Sequence, residues 1–545
     1  MDEALSSTAA ADAAVKPARN VALATMASRV LGLVRDKVTV YFFPRLTSDA
    51  ILLAWTIPNL FRRFFGEGAL SAALLPVLAE TEKREGAAGR NRVARSVIWS
   101  LIALLVPLTI AGLLLLAATP ERWLAVFFES DAMAHATLRL LRWTLPYLVF
   151  ICVAGQMQAV ANLAGRFFFP ALAPTLSNVT WIAGAFFAAW LARRDGSALP
   201  DAKWVAIGML AGGVLQVALQ WIELLRVGEN CLAPAPIRTR EVTDVSRRMA
   251  PMLLGMAAGQ INILVDPFVA QKFIDGSGAV TQLYLGNRLM QLPLGVVGVA
   301  LGTAIYPALA RAAARKDWRE LEGALTAALR TSITLCLPAI AGLMLLAGPI
   351  MSLLFQGGEC SAADAAKSAA CMAAYAPTLL LQTAVLLLAR ADYARGNQRR
   401  PVIVSCIAVA VNMVLDVVFV LPFGATGIAA VTSIASLVNV WLLMRGLRRD
   451  GFQLGRALAR PLLRVGAACL AMSGAVVATR FGLERLALAA PIRDAVITGG
   501  GIAIGLAVFF FAARFLAEQE LEELLRLVGR RSRKSTSQSP PPELR

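Results

Sequence analysis

Histidine is almost absent from this sequence, because His135 is the only one among 545 residues. It falls in the predicted exported loop before the fourth apolar run, so a serine–histidine hydrolase site and a zinc site are both excluded. No pair of acidic residues forms a recognisable acid–base constellation. We therefore expect no enzymatic centre in this chain.

Cysteine pairs and signal-peptide features are also lacking. The seven cysteines form no C-x-x-C pair and mostly fall in apolar stretches, so free thiols are expected. Residues 1–19 are polar and lack the apolar core of a signal peptide, so we expect no cleavable signal. This segment is predicted to be a disordered cytoplasmic N-terminus.

Long apolar runs, in contrast, are abundant. The sequence is 58% hydrophobic and 16% charged, with a mean hydropathy of +0.64, which is outside the range of soluble proteins. Runs of about 20 residues, the length that crosses a bilayer core, recur about fourteen times, so the sequence predicts an all-α polytopic membrane protein. The runs lie near 20–43, 49–79, 95–118, 138–164, 167–192, 204–226, 249–274, 279–310, 324–356, 364–394, 401–422, 426–445, 461–480 and 491–516.

The net charge of +18 reports membrane topology rather than a nucleic-acid partner. With a cytoplasmic N-terminus, most basic residues fall in cytoplasmic connections, and the exported loops around Lys272, Lys367 and Gly424 are nearly free of charge. This is the positive-inside bias, and it places both termini in the cytoplasm. The basic residues that depart from it are Arg193, Arg194, Arg480, Arg485 and Arg493.

The spans divide at a basic connection into two sets of six and a final pair. Basic turns at 164–166 and 395–397, each followed by a proline, indicate an internal repeat. Repeats of this kind are typical of secondary transporters, which bind substrate at the repeat interface. The predicted segments are a first lobe (20–226), a basic cytoplasmic linker (227–248), a second lobe (249–446), the last two spans (456–517) and a cytoplasmic tail (518–545).

Five arginines lie inside apolar stretches. A charged side chain at the bilayer centre costs about 2.5–3.5 kcal/mol on insertion scales, so five of them facing lipid would be prohibitive. We expect them to face a wet cavity that holds an anionic group. They are Arg29, Arg35, Arg62, Arg63 and Arg288.

Carboxylates in the same stretches explain only part of this set. Arg63 and Glu67 are four residues apart and can form a pair that merely neutralises charge, while Arg29 and Asp36 share a helix face. The arginines outnumber these carboxylates. Because guanidinium groups present forked donors that match phosphate oxygens, the cluster predicts a phosphate or diphosphate site.

A second polar set lies further along the chain. Asn412 and Asp416 are four residues apart on one helix face, Thr432 is in the next span, and Asp266 is in an earlier one. Oxygen ligands of this kind suit a small hard cation such as Na⁺, and a proton is the other natural counter-ion. The alternative is that these groups only join helices through polar contacts.

The arginine-bearing segments also carry a family resemblance. The motifs are S-R-V-L-G-L-V-R-D at 28–36, Asp49-Ala50, I-P-N-L-F-R-R-F-F-G-E-G-A-L-S at 57–71, Pro76, and further matches at 146–147, 170–174, 287–293, 298–303, 393–396 and Asn439. They resemble the MurJ/MviN family of lipid II flippases, within the multidrug/oligosaccharidyl-lipid/polysaccharide exporter superfamily. The similarity covers most of residues 20–445, whereas the last two spans match in number but carry little sequence signal.

This resemblance implies a V-shaped transporter with two six-helix lobes and two further helices that form a groove for a polyprenyl tail. It would move lipid II, an undecaprenyl-diphosphate-linked disaccharide-peptide, from the cytoplasmic to the periplasmic leaflet of the bacterial inner membrane by alternating access. This step serves cell wall biosynthesis. The substrate-binding residues that it implies are Arg29, Arg35, Arg62 and Arg288 on the diphosphate, Asp36 and Glu67 beside them, and Ser28, Asn59 and Arg63 in the same motifs.

The resemblance further implies a coupling ion and protein partners. Some members of the family hold Na⁺ in the second lobe, and no other cofactor is expected. A contact with cell-wall synthesis or division machinery is also expected. The residues that match the Na⁺ pattern are Asp266, Asn412, Asp416, Thr432 and Ile428, the last through its carbonyl.

Two positions depart from the family pattern. Family members often carry Asp before the arginine of the eighth span and Glu three residues after it, where this chain has Asn287 and Gln291. The positive charge of Arg288 should therefore be less compensated by neighbouring carboxylates.

Three other functions stay open: a flippase for another polyprenyl-linked glycan, a drug/cation antiporter and a non-transporting cell-envelope scaffold. A cationic-drug exporter would need carboxylates where the first lobe has arginines.

Overall fold

The computed structural model describes residues 23–66, 69–118, 128, 130–485 and 489–522. These residues are almost entirely helical, and no β-strand occurs among them beyond an isolated bridge between Gly357 and Cys360. The prediction of an all-α fold is confirmed. The predicted N-terminal segment (1–19), Glu67 and most of the predicted tail lie outside the described residues.

The chain divides into two compact units. The first runs to Thr281 and includes Gly357–Ser361, and the second comprises Gln282–Gln356 and the residues from Ala362 onward. Helices of the first unit are α1 (23–42), α2 (Arg45–Phe61), α3 (Ala69–Ala118), α4 (Asp131–Thr144), α5 (Tyr147–Leu163), α6 (Phe168–Asp195), α7 (Lys203–Arg226) and α8 (Arg240–Phe273). A short π-helix, Arg62–Gly66, follows α2 directly.

The second unit takes up the chain within the helix that carries Arg288. Its helices are α9 (Ala279–Ala314, which begins in the first unit), α10 (Trp318–Leu345), α11 (Ala347–Phe355), α12 (Ala362–Tyr375), α13 (Thr378–Ala394), α14 (Arg399–Arg449), α15 (Leu454–Glu484) and α16 (Ala490–Leu516). One apolar core joins α9, α10, α13 and α14, and another joins α10, α15 and α16.

Two helices are interrupted by glycines. Gly86 in α3 has φ 70° and Gly424 in α14 has φ 57°, both in the left-handed region that glycine adopts without strain. The break at Gly424 lies where the sequence predicted a turn between two spans. Eight helices of the described chain are long and apolar enough to span a membrane, or nine if α4 and α5, bent by 45°, form one span. The predicted number of about fourteen spans is not confirmed.

The predicted linker, 227–248, is held against α3 within the first unit. Arg90 forms an ion pair with Glu229, and the Trp99 indole donates to the carbonyl of Ala233 at 2.9 Å. The last residues of the segment already belong to α8. Polar contacts therefore fasten this connection to the first unit.

The two basic turns that suggested a repeat have similar surroundings. Arg166 lies 3.7 Å from Glu223, near the end of α7, and Arg395 lies 2.8 Å from Asp450, directly after α14. In both units an arginine of the turn thus meets a carboxylate at the end of a later helix. The internal repeat itself stays a prediction.

Candidate functional site

Arg35, in α1, is enclosed by partners of the first unit. Its guanidinium donates to Asp36 Oδ1 from Nε at 3.0 Å and from Nη2 at 2.6 Å, and to Asn178 Oδ1 at 3.3 Å. The guanidinium also lies over the rings of Trp181 and Trp55, at 4.5 and 5.4 Å from their centres, within the range of cation–π attraction. Arg35 is only 7% exposed. Most of its donors are therefore already engaged in this state.

Helix α6 supplies the frame that holds this arginine. Asn178 and Trp181 are three residues apart and so share a helix face. The Asn178 amide donates to the carbonyl of Ser28 at 3.1 Å, and the Trp181 indole donates to Thr39 Oγ1 at 3.0 Å. Two hydrogen bonds, one on each side of Arg35, thus fasten α6 to α1.

Arg29 lies on α1 before Arg35 and is half-buried. Asp36, the carboxylate expected to share its face, is 4% exposed and bonded to Arg35 instead. The structure therefore couples Asp36 to its sequence neighbour, because adjacent side chains can meet when one of them is as long as arginine.

Arg62 and Arg63 lie on the π-helix rather than on a regular span. The sequence predicted one continuous run over 49–79, but α2 ends at Phe61 and the next five residues are π-helical. Arg62 donates to Asn59 Oδ1 from Nε at 3.0 Å and from Nη2 at 2.9 Å. Asn59 is neutral, so this forked contact orients the guanidinium without cancelling its charge. The expected pair of Arg63 with Glu67 lies outside the described residues.

Helix α5 stabilises the π-helix through two adjacent residues. The Gln156 amide donates to the carbonyls of Phe65 and Gly66, and the Ser71 hydroxyl also donates to the carbonyl of Gly66, at 2.8 Å. A Cβ built on Gly155 would lie 2.4 Å from the carbonyl oxygen of Gly66 and 2.5 Å from its Cα. Only glycine permits this approach of backbone to backbone. π-helical turns are frequent at functional sites, and here one carries the double-arginine motif.

Arg288 belongs to the second unit, where close helix packing positions it. It is half-buried on α9. Cβ atoms built on Gly286 and Gly302 would lie 2.8 Å from the Met372 nitrogen and 2.7 Å from an Arg390 nitrogen, respectively. The glycines of α9 therefore allow close packing against α12 and α13.

The two residues that depart from the family pattern contact each other. The Gln291 amide donates to Asn287 Oδ1 at 3.0 Å, an i,i+4 contact on an exposed face of α9. Where the family pattern has carboxylates beside the arginine of this span, this chain has a neutral amide pair.

Asp49 caps the start of α9, a role that its position in the sequence did not reveal. It is 1% exposed; its Oδ2 accepts from the Gly278 amide at 2.6 Å, and its Oδ1 accepts from the amide and hydroxyl of Thr281 at 2.8 and 2.5 Å. These contacts lie within the first unit. They satisfy backbone donors at the start of a helix in the way an N-cap does, but from another helix.

We expect Asp49→Ala to destabilise the protein by about 2–3 kcal/mol, because three buried donors lose their acceptor. Thermal unfolding of the purified protein in detergent measures this change. Asp317→Ala is the matched control, since Asp317 caps α10 through the Glu320 amide at 2.9 Å but is exposed, so water can replace it. Equal losses for the two variants would contradict the assigned role of Asp49.

The predicted cation ligands fall in both units. In the second unit the Asn412 amide donates to Asp416 Oδ2 at 2.6 Å, with both residues buried, and the Thr432 hydroxyl donates to the carbonyl of Ile428 at 3.2 Å. Asp266 belongs to the first unit. The described residues contain no group of three or more His, Cys, Asp or Glu side chains that could hold a metal. The donors are nevertheless hard oxygens, which suit Na⁺.

An apolar cavity of about 990 Å³ opens among the last helices of the second unit. Its walls come mainly from α10, α15 and α16, with residues such as Leu343, Met472, Val476, Leu506 and Phe510. The resemblance implied a groove at the last two spans, and a cavity of matching polarity lies there.

Several contact residues escaped the sequence reasoning. Asn178, Trp181, Gly155 and Gln156 all lie far in sequence from the arginines that they hold or position. The available signal was the i,i+3 spacing of Asn178 and Trp181 in an apolar span. That spacing is common in buried helices, so it did not point to Arg35.

The matching family model and two relatives of this chain carry the same description. The family model described as lipid II flippase MurJ matches residues 38–485. A probable lipid II flippase MurJ from Bdellovibrio bacteriovorus is 32% identical over 505 residues, covering 90% of this chain and 94% of the relative. A lipid II flippase MurJ from Burkholderia cenocepacia is 30% identical over 461 residues, covering 83% and 87%.

Solved structures show the same fold. A lipid II flippase MurJ in an inward closed conformation aligns with a TM-score of 0.74 at 24% identity, covering 92% of this chain and 99% of that one. An inward-facing MATE-family multidrug resistance transporter aligns with a TM-score of 0.65 at 16% identity, covering 79% and 95%.

Proposed function

This chain belongs to the lipid II flippase MurJ family, and from that premise we propose that it moves lipid II from the cytoplasmic to the periplasmic leaflet of the bacterial inner membrane by alternating access. The observation that carries the site assignment is the π-helix at Arg62. It places a forked cation donor inside an apolar stretch and orients it through the neutral Asn59.

The diphosphate is the part of the substrate that these arginines match. Planar guanidinium groups bind phosphate oxygens through paired N–H donors, and such charge-assisted bonds are about twice as strong as neutral ones. We assign Arg29, Arg62 and Arg288 to the diphosphate. Arg35 contributes its positive charge while it stays bound to its partners in the first unit, and Asp36 sets the orientation of its guanidinium. Ser28, Arg63 and Glu67 belong to the same motifs and are proposed to line the site.

The polyprenyl tail is assigned to the apolar cavity of α10, α15 and α16. A long hydrocarbon chain needs a wall without polar groups, since each buried methylene stabilises by about 0.8 kcal/mol. The cavity meets that need, because its lining is almost entirely apolar.

Na⁺ is proposed as a coupling ion, held by the oxygens of Asn412, Asp416, Thr432, Ile428 and Asp266. A bound cation would supply positive charge that biases one conformational state over the other. Moving one charge through 100 mV changes the free energy by about 2.3 kcal/mol, so the membrane potential can act in the same way.

The remaining assignments follow from the family. A transporter needs no catalytic centre, so we propose that the chain is not an enzyme. Both termini are proposed to be cytoplasmic, on the basis of the charge distribution. Contact with cell-wall synthesis or division machinery remains a prediction.

Transport of fluorescent lipid II in reconstituted vesicles tests the function directly. Lipid II should move between the leaflets much faster than in protein-free vesicles. In a separate binding measurement, undecaprenyl diphosphate alone should bind more weakly than lipid II. If another polyprenyl-linked glycan moved as fast as lipid II, the alternative of a flippase for such glycans would be favoured. No movement of any such lipid would favour the scaffold.

A further inference from the structure

A second, polar pocket of about 430 Å³ lies at one end of the second unit. It is bounded by the ends of α11, α12, α15 and α16, and it contains two arginines and two carboxylates: Arg480, Glu484, Arg493 and Asp494. Arg480 and Arg493 are among the few arginines that depart from the positive-inside bias. These two exceptions to the bias therefore line the same pocket.

The charges of this pocket sum to zero but are separated into distinct donors and acceptors. Arg480 Nε donates to Glu484 at 2.7 Å and its Nη1 donates to the carbonyl of Leu345 at 3.4 Å, which together occupy two of its five N–H groups. Arg493 Nε lies 3.7 Å from Asp494, beyond hydrogen-bond distance. Both arginines and both carboxylates therefore retain capacity to bind a ligand that carries charges of both signs.

Asp494 is fixed in place from the other wall of the pocket. It is 8% exposed, and its Oδ2 accepts from the Ser352 hydroxyl at 2.5 Å. A carboxylate has about four acceptor positions, so this bond leaves acceptor capacity on a residue that lines the pocket. A buried carboxylate held this way is a preorganised acceptor for a cation.

The polar pocket continues into apolar space. A cavity of about 310 Å³ shares Arg480 and Glu484 with it and is otherwise lined by Leu345, Val476, Val477 and Phe481. Val476 in turn lines the large apolar cavity. A ligand that fills both the polar pocket and the adjoining 310 Å³ cavity must have a charged head and a hydrocarbon tail.

We propose that this pocket binds the headgroup of a bilayer phospholipid that carries both a phosphate and a primary ammonium group. Arg480 and Arg493 receive the phosphate, Glu484 and Asp494 receive the ammonium, and an acyl chain enters the adjoining apolar cavity. An anionic glycerol headgroup would meet two carboxylates with no cation to offer them. A choline headgroup carries no N–H donor. The predicted topology puts the pocket at the exported leaflet.

Lipid binding to the purified full-length chain tests this inference. The protein is mixed with equal amounts of dioleoyl phosphatidylethanolamine, phosphatidylglycerol and phosphatidylcholine, and retained lipids are counted by native mass spectrometry. We expect phosphatidylethanolamine to be retained about tenfold over the other two, and Arg493→Gln or Glu484→Gln to reduce its retention by about tenfold, since each removes a charge-assisted hydrogen bond.

A second arginine–glutamate pair, at the C-terminal end of α16, provides matched controls. Arg514 and Glu518 also form an i,i+4 pair, at 3.8 Å, but lie outside the pocket, so Arg514→Gln and Glu518→Gln should leave lipid retention unchanged. Because the Glu484 side chain is 39% exposed, its replacement should not prevent folding. Equal retention of the three lipids, preference for phosphatidylglycerol, or unchanged retention in both pocket variants would overturn the proposal.

Discussion

Cells depleted of their own flippase are expected not to grow on an Arg62→Ala variant of this protein. The substitution removes the two parallel donors that we assign to the diphosphate, each worth about 1.5–3 kcal/mol as a hydrogen bond to a charged group, so binding should weaken on the order of 100-fold or more. The protein should still fold, because Arg62 is only half-buried and the acceptor that it leaves, Asn59, is neutral. Complementation and the amount of inserted protein are measured together.

Two further variants separate charge from shape at this position. Arg62→Lys keeps the positive charge but loses the planar fork, so it should complement only partly. Arg84→Ala is the control, because Arg84 is an exposed arginine paired with Glu85 and should complement fully. Normal growth on Arg62→Ala would contradict the diphosphate assignment and would favour the scaffold function.

Arg35 is a less discriminating target for the same experiment. Its removal would leave Asp36 buried without its charged partner, and breaking a buried pair in this way costs about 3–5 kcal/mol. Loss of growth on Arg35→Ala could thus come from unfolding alone.

Gly155→Ala is expected to abolish transport although it changes no charged residue. The added methyl group would lie 2.4–2.6 Å from three backbone atoms of Gly66, so α5 and the π-helix must separate. Overpacking of this kind costs about 1–3 kcal/mol, and here it also breaks the hydrogen bonds of Gln156 that hold the Arg62 turn. Lipid II transport in vesicles and thermal unfolding report the two effects.

Gly474→Ala is the matched control for this change. Gly474 lies in α15 with no atom within 4 Å of a built Cβ, so alanine should be tolerated and should favour the helix slightly. If Gly155→Ala transported lipid II as well as Gly474→Ala, the close approach of α5 would have no part in positioning Arg62.

Hydropathy and glycine placement predicted much of the fold. The apolar runs recovered most of the helices, and the nearly uncharged stretch at Gly424 correctly marked a turn, because glycine accepts the positive φ required there. The change to a π-helix after Phe61 was missed, since hydropathy and spacing do not distinguish a π-turn from a regular helical turn. A π-turn depends on which carbonyls a neighbouring helix can satisfy, and that neighbour, Gln156, is 94 positions away in the sequence.

The same limit applies to the candidate site. The excess of arginines over carboxylates in apolar segments predicted an anionic ligand without any structure, because burying unmatched charge is costly in every fold. Which carboxylate pairs with which arginine was not predictable. Arg35 bonds the adjacent Asp36, and its other partners, Asn178 and Trp181, come from α6.

The sequence by itself determined that this chain is an all-α membrane protein with buried arginines of the lipid II flippase pattern, because hydropathy and charge are properties of each segment alone. Only the tertiary structure decided how those arginines are held: Arg35 between two tryptophans, Arg62 on a π-helix supported by α5, and Asp49 capping α9. Such contacts join residues distant in the chain, and they form only where helices pack closely enough to exclude other partners.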